Sequence, residues 1–117
     1  VISTGGMLLP QSMSYVGPLA ERSLDMYHVN KTFLSCKGVD PASGLSDSNE
    51  MQALLKKRMI EIADETILMA DSSKFGTRAF SQIDRLHNGY RIITDSGIDK
   101  ANLALLKDIT ETITIVG

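Results

Sequence analysis

The sequence predicts an α/β domain in three layers, α/β/α, with a mostly parallel sheet and helices on both faces. Three observations carry that expectation. Short apolar runs rich in β-branched residues alternate with stretches of helical periodicity along 117 residues. Each apolar run stops at a glycine or a cluster of small polar groups, as strands feeding a common rim do. The length suits one domain and is short for two.

Taken in chain order, "VIST" at residues 1–4 reads as a short strand stopped by Gly5 and Gly6. "QSMSYVGP" is a weaker extended segment ended by Gly17 and Pro18, and Pro18 suits the first position of a helix over "LAERSLDMY". "KTFLSCKGVD" is a buried strand that runs into a polar turn at Gly38 to Asp40, and the composition of "PASGLSDSN" makes it a loop. Met51, Leu54, Leu55, Met59, Ile62 and Ala63 recur at helical spacing and predict a helix from about Ser48 to Ala63. Asp47 as N-cap with Glu50 three residues later fits a capping box. "TILMAD" is the next strand, "AFSQIDRL" is extended, and "YRIITDSG" is a further strand with a polar end. Asp99 caps a helix over "KANLALLKDI", and "TITIVG" closes the chain as a β-branched strand.

Composition narrows the function classes. A hydrophobic share of 43% with 22% charged residues is that of a globular chain. The net charge of −2 argues against a nucleic-acid grip, and the one basic run, "KKR" at Lys56 to Arg58, reads as a solvated helix face. A single cysteine, Cys36, precludes an internal disulfide and fits a reducing compartment; its apolar setting favours a buried structural thiol. No stretch approaches the roughly 18 apolar residues of a membrane helix, and a cytoplasmic location is expected. His28 and His87 lack ligand-like spacing to each other or to Cys36, so neither a metal nor a cofactor is expected. The opening on "VISTGG", without an initiator methionine, is expected of a part of a longer protein.

The strand ends carry the functional signal. "IST" precedes Gly5-Gly6, "FLSC" precedes Lys37 to Asp40, "ILMA" precedes Asp71 to Lys74, and "RIIT" precedes Asp95 to Gly97. In a parallel sheet all carboxyl ends share one edge, where ligands of open α/β sheets bind. Glycines, hydroxyls and a lysine there suit a small anion. Simpler readings exist for most of these groups. Gly5-Gly6 also fits a plain turn, Asp40 a turn before Pro41, Glu50 helix capping, and Asp95-Ser96 a lead into the next helix. Lys74 is different, because a turn requires no lone cation.

The segments "TGGMLLPQSMSYVGPLAE", "FLSCKGVDPASGLSDSNEMQALLKKRMIEIA", "ILMADSSKFGTRAF" and "ITDSGID" resemble, in order and spacing, the C-terminal sensor domain of DeoR-type bacterial transcription regulators. The resemblance spans nearly the whole chain. It implies a Rossmann-like fold similar to ribose-5-phosphate isomerase, glucosamine-6-phosphate deaminase and the CoA transferases. It also implies a phosphorylated sugar or related metabolite as ligand, homo-oligomeric assembly, and DNA contact through a separate helix-turn-helix. Carried over residue by residue, Gly5 and Gly6 match the glycine pair of the sensor pocket. Gly38 and Asp40 match a G-x-D turn whose acid accepts bonds from sugar hydroxyls. Glu50 matches the acid opening the long helix, and Lys74 the lysine that pairs with the anion; Asp71 orients its turn. The family's helix-turn-helix and its first phosphate-cradling loops have no counterpart in these 117 residues. Specific DNA binding is therefore not expected of this chain, and effector binding by the chain in isolation is expected to be weak or absent. A sugar-phosphate isomerase or deaminase using Asp40 and Glu50 is the alternative, disfavoured because "GVDPASG" lacks such enzymes' acidic cluster and glycine loop.

Overall fold

The computed structural model describes residues 1–117. A parallel four-stranded sheet forms its centre. β-branched and leucine-rich runs make strands β3 (Val29–Leu34), β6 (Ala63–Met69), β8 (Tyr90–Asp95) and β9 (Ile113–Val116), ordered β3-β6-β8-β9. All three pairings are parallel, and Leu34, Leu68, Ile92 and Ile113 stand in register across the sheet. The expected mostly parallel α/β sheet is present.

Two helices occupy the crossovers. Helix α2 (Glu50–Glu61) links β3 to β6, and helix α3 (Lys100–Ile109) links β8 to β9. Ala53, Met59 and Ile60 of α2 and Leu106 of α3 join one apolar cluster with Leu34, Leu68 and Ile92. Both helices therefore cover the same sheet face, as right-handed crossovers taken in one direction along a sheet require. The second face has no helix from residues 1–117 upon it, and it exposes Phe33, Met69 and Val116.

The remaining elements flank this unit. Strands β1 (Met7–Leu9) and β2 (Ser14–Val16) form an antiparallel hairpin, followed by helix α1 (Pro18–Leu24) with Pro18 in its first turn. Val16 and Ala20 pack on Leu55 of α2 in a second, smaller cluster. Strands β4 (Gly38–Asp40), β5 (Gly44–Asp47) and β7 (Ser81–Asp84) make a three-stranded antiparallel sheet whose Val39, Leu45 and Ile83 extend the main core. No helix is long and apolar enough to cross a membrane.

Four local expectations are corrected. Residues 1–4 form no strand; the first strand begins after the glycine pair, at Met7, because its partner is the following segment Ser14–Val16. The segment expected to be all loop contains β5, whose four residues are all buried because β4 and β7 pair with it on both sides. The N-cap of α2 is Asn49, whose side chain accepts the Gln52 N–H at 3.1 Å, while Asp47 is turned inward. The helix also ends at Glu61 rather than Ala63, which already belongs to β6.

Candidate functional site

A cleft of about 460 Å³ opens at the carboxyl ends of β3 and β6. Ser35, Cys36 and Lys37 reach it past the end of β3; Met69, Ala70, Asp71 and Lys74 reach it from the end of β6 and the turn beyond. Gln52 and Lys56, one helical turn apart on α2, form a further wall with Asp47 from the end of β5. Ser12 and Ser14 of the β1–β2 hairpin complete the lining. The volume lies within the usual range for small-molecule sites, though the lining is more polar than most.

The charges of this lining are unequally committed. Lys56 Nζ lies 2.6 Å from Asp47 Oδ2, and both side chains are largely withdrawn from solvent, at 17% and 4% exposure. The other Asp47 oxygen accepts the Ser48 N–H at 2.9 Å. Asp71 caps a 3₁₀ turn over Ser72–Lys74 and accepts the backbone N–H and hydroxyl of Ser73, and those bonds hold its carboxyl below the usual range. Lys37 and Lys74 form no ion pair. Lys74 is half-buried and makes no direct ion pair, with the Asp71 charge of the same turn within Coulombic reach of it.

The turn that carries Lys74 is fixed from the neighbouring strand. Asp95, at the end of β8, accepts the Ser72 N–H at 2.9 Å and the Gly97 N–H at 2.8 Å. The Ser72 bonds, then that of Gly97, hold its carboxyl below its ordinary value. The polar ends of β6 and β8 thus act as one unit, with Asp95 ordering the loop on which Lys74 is mounted. Beneath the cleft, buried Cys36 donates weakly to the Gly38 carbonyl at 3.3 Å. Burial raises its thiol pKa, against the opposing pull of Lys56.

Of the six residues singled out from the sequence, Lys74 alone lines this cleft. Gly6, at φ 101°, lets the chain pass close to α1: a Cβ there would meet the Val16 carbonyl at 2.8 Å and Ala20 Cβ at 3.0 Å. Gly5 precedes it in open space. Gly38 is buried, and a Cβ there would press on the Thr77 carbonyl and on Ser46 Oγ. Asp40 closes its own turn, accepting from Ala42 N at 3.1 Å and Ser43 Oγ at 2.9 Å, with Arg78 at 3.8 Å. Glu50 is exposed on the first turn of α2, a favourable place for a carboxylate at a helix N-terminus. Sequence reasoning missed Asp47, Gln52 and Lys56. Lys56 is no part of a solvated face, unlike its neighbour Lys57, which is exposed. The available signal was the i, i+4 polar pair Gln52–Lys56 beside the apolar positions Ala53 and Leu55. No three His, Cys, Asp or Glu side chains converge in the manner of a metal site.

Comparison with known proteins shows the family. Residues 1–96 match the family described as the DeoR C terminal sensor domain. The chain is 65% identical over 116 residues to an uncharacterized HTH-type transcriptional regulator, YulB, of Bacillus subtilis, covering 99% of this chain and 45% of that protein. It is 37% identical to a putative aga operon transcriptional repressor of Escherichia coli O157:H7, covering all of this chain and 44% of the relative. An L-fucose operon activator of Haemophilus influenzae is 34% identical over 97 residues, 83% of this chain and 39% of its own length. The chain therefore spans less than half the length of the curated relatives it matches.

Proposed function

The chain belongs to the family of DeoR C-terminal sensor domains, and on that premise we propose that its cleft binds a phosphorylated sugar or a related small anionic metabolite and reports it to transcription. The observation that carries this reading is Lys74, a half-buried lysine without an ion-pair partner in a hydroxyl-lined cleft at the strand ends. A phosphate oxygen supplies what that ammonium lacks, and a charge-assisted hydrogen bond there is stronger than a neutral one.

The relatives support the regulatory side: one is named a repressor and another an activator, of sugar operons in the case of the L-fucose protein. The proposal is therefore a cytoplasmic regulator, read here as a repressor, whose DNA contacts lie outside these 117 residues. Assembly as a homo-oligomer, carried over from the family resemblance, belongs to the same reading. Sensing rather than catalysis is favoured because Asp40, the acid an isomerase would use, is engaged in its own turn.

The test uses the full-length protein. Thermal-shift and calorimetric titrations against hexose 6-phosphates, pentose 5-phosphates and the matching free sugars should show stabilisation by phosphorylated members alone. Lys74→Ala should weaken that binding by about 10- to 100-fold, the worth of one hydrogen bond to a charged group. Stabilisation that survives Lys74→Ala unchanged, or turnover of the ligand that Asp40→Asn abolishes, refutes the reading.

A further inference from the structure

We propose that Gln52 and the Asp47–Lys56 pair form a hydroxyl-reading wall of the cleft, so that the site selects a polyhydroxylated metabolite with a single anionic end. The inference rests on the anion-sensor reading above and assigns the part of the ligand which Lys74 does not touch.

Charge separates the two parts of the lining. The cations are Lys37, Lys56 and Lys74, and the anions are Asp47 and Asp71. Asp47 holds Lys56 at 2.6 Å and is itself almost wholly buried, so this pair is neutral as a unit. A second anionic group on the ligand, placed beside Asp47, would meet a carboxylate already short of solvent. The cations left without an ion pair, Lys37 and Lys74, draw the anion to the strand-end side of the cleft, where Asp71 is engaged by Ser73, and the α2 wall is left to neutral groups.

The wall is matched to hydroxyls by its donors and acceptors. Lys56 spends one of its three N–H donors on Asp47. Gln52 is 8% exposed; its amide nitrogen donates to Ser12 Oγ at 3.0 Å, and its carbonyl oxygen accepts no hydrogen bond from the protein. Ser14 and Ser35 add hydroxyls of either sense. A surface that offers donors and acceptors side by side, without net charge, pairs with groups that themselves both donate and accept. A sugar hydroxyl does so; a phosphate oxygen or a methyl group does not. A bare phosphate would also fill little of 460 Å³, whereas a hexose monophosphate reaches both walls.

Titration calorimetry on the full-length protein tests this with inorganic phosphate, glycerol 3-phosphate and a set of hexose and amino-hexose 6-phosphates. The wild-type protein should prefer at least one hexose phosphate over glycerol 3-phosphate by tenfold or more, since buried polar groups left unpaired penalise the shorter ligand. Gln52→Met should reduce that preference by about tenfold. The doubly neutral variant Asp47→Asn/Lys56→Met, which leaves no charge stranded, should do likewise. Lys74→Ala should instead lower the affinity for all phosphorylated probes by a similar factor. Unchanged preference in Gln52→Met and in the double variant, both folded by thermal midpoint, overturns the wall while leaving the anion reading intact. Failure of every phosphorylated probe to bind wild-type protein overturns both.

Discussion

Asp47 and Lys56 meet at 2.6 Å across the junction of β5 and α2, with the carboxylate almost fully enclosed. Removing one member strands the other's charge, which costs far more than the intact pair contributes. Lys56→Met should therefore destabilise by about 3 kcal/mol, near the lower end for a broken buried pair because Lys56 keeps some solvent contact. Adding Asp47→Asn should recover most of that loss. A double-mutant cycle by urea unfolding checks it, and a coupling energy near zero would show that the pair acts as two independent surface charges.

Asp71 and Asp95 give the fold a dependence on acid. Both carboxyls are held below their ordinary values, Asp71 chiefly by the Ser73 hydroxyl and Asp95 by the Ser72 bonds. The contribution of these bonds is fully present above the unfolded carboxylate pKa of about 4, and it is lost as pH falls through the lower folded values. Unfolding midpoints recorded from pH 7 to pH 2 should show a decline below about pH 4 that Asp95→Ala makes shallower. An acid limb of unchanged steepness in Asp95→Ala would exclude Asp95 as one of its sources.

Gly38 is required by packing. A Cβ would stand 2.8 Å from Ser46 Oγ and closer still to the Thr77 carbonyl, which is backbone and cannot rotate aside. Gly38→Ala should cost about 1–3 kcal/mol, the range for overpacking. Ser46→Ala relieves only part of it, because Ser46 Oγ also accepts the Ala79 N–H at 2.8 Å. A stability loss in Gly38→Ala below about 0.5 kcal/mol would mean that the loop around Thr77 yields.

How much of this was legible in the sequence follows from which forces decide each element. The central strands were, because Leu68, Ile92 and their neighbours form apolar runs that only a parallel sheet buries. The α3 cap was too: Asp99 accepts the Asn102 N–H at 2.7 Å, a purely local bond. Strand β5 was not, since "GLSD" carries one large apolar residue and owes its conformation to partners on both sides. Asp47 and Asn49 are both able caps, and the burial of Asp47 against Lys56, a contact nine residues away, decides between them. In the site, Lys74 stood out because no local structure calls for it. Gln52 and Lys56 did not, because polar side chains on a helix usually face water, and what lines the cleft beside these two is Asp47, on the strand the sequence did not reveal, with Ser12 and the end of β3, which are remote in sequence.

Cys36 offers a chemical probe of the same cleft. Its side chain is 5% exposed, and burial raises its pKa despite the nearby ammonium of Lys56. The thiolate is the reactive form, so both access and ionisation slow its modification. Since the folded pKa lies above the unfolded one, alkaline pH favours the unfolded chain, where the thiol ionises freely. Reaction with a disulfide reagent at pH 8 should be at least about tenfold slower in the native protein than in urea. Cys36 also lines the cleft, so a bound sugar phosphate should slow the reaction of the full-length protein further, and the rate gives a binding curve independent of calorimetry. Labelling of the native chain at the unfolded rate would mean that the strand end carrying Cys36 opens far more readily than its burial implies.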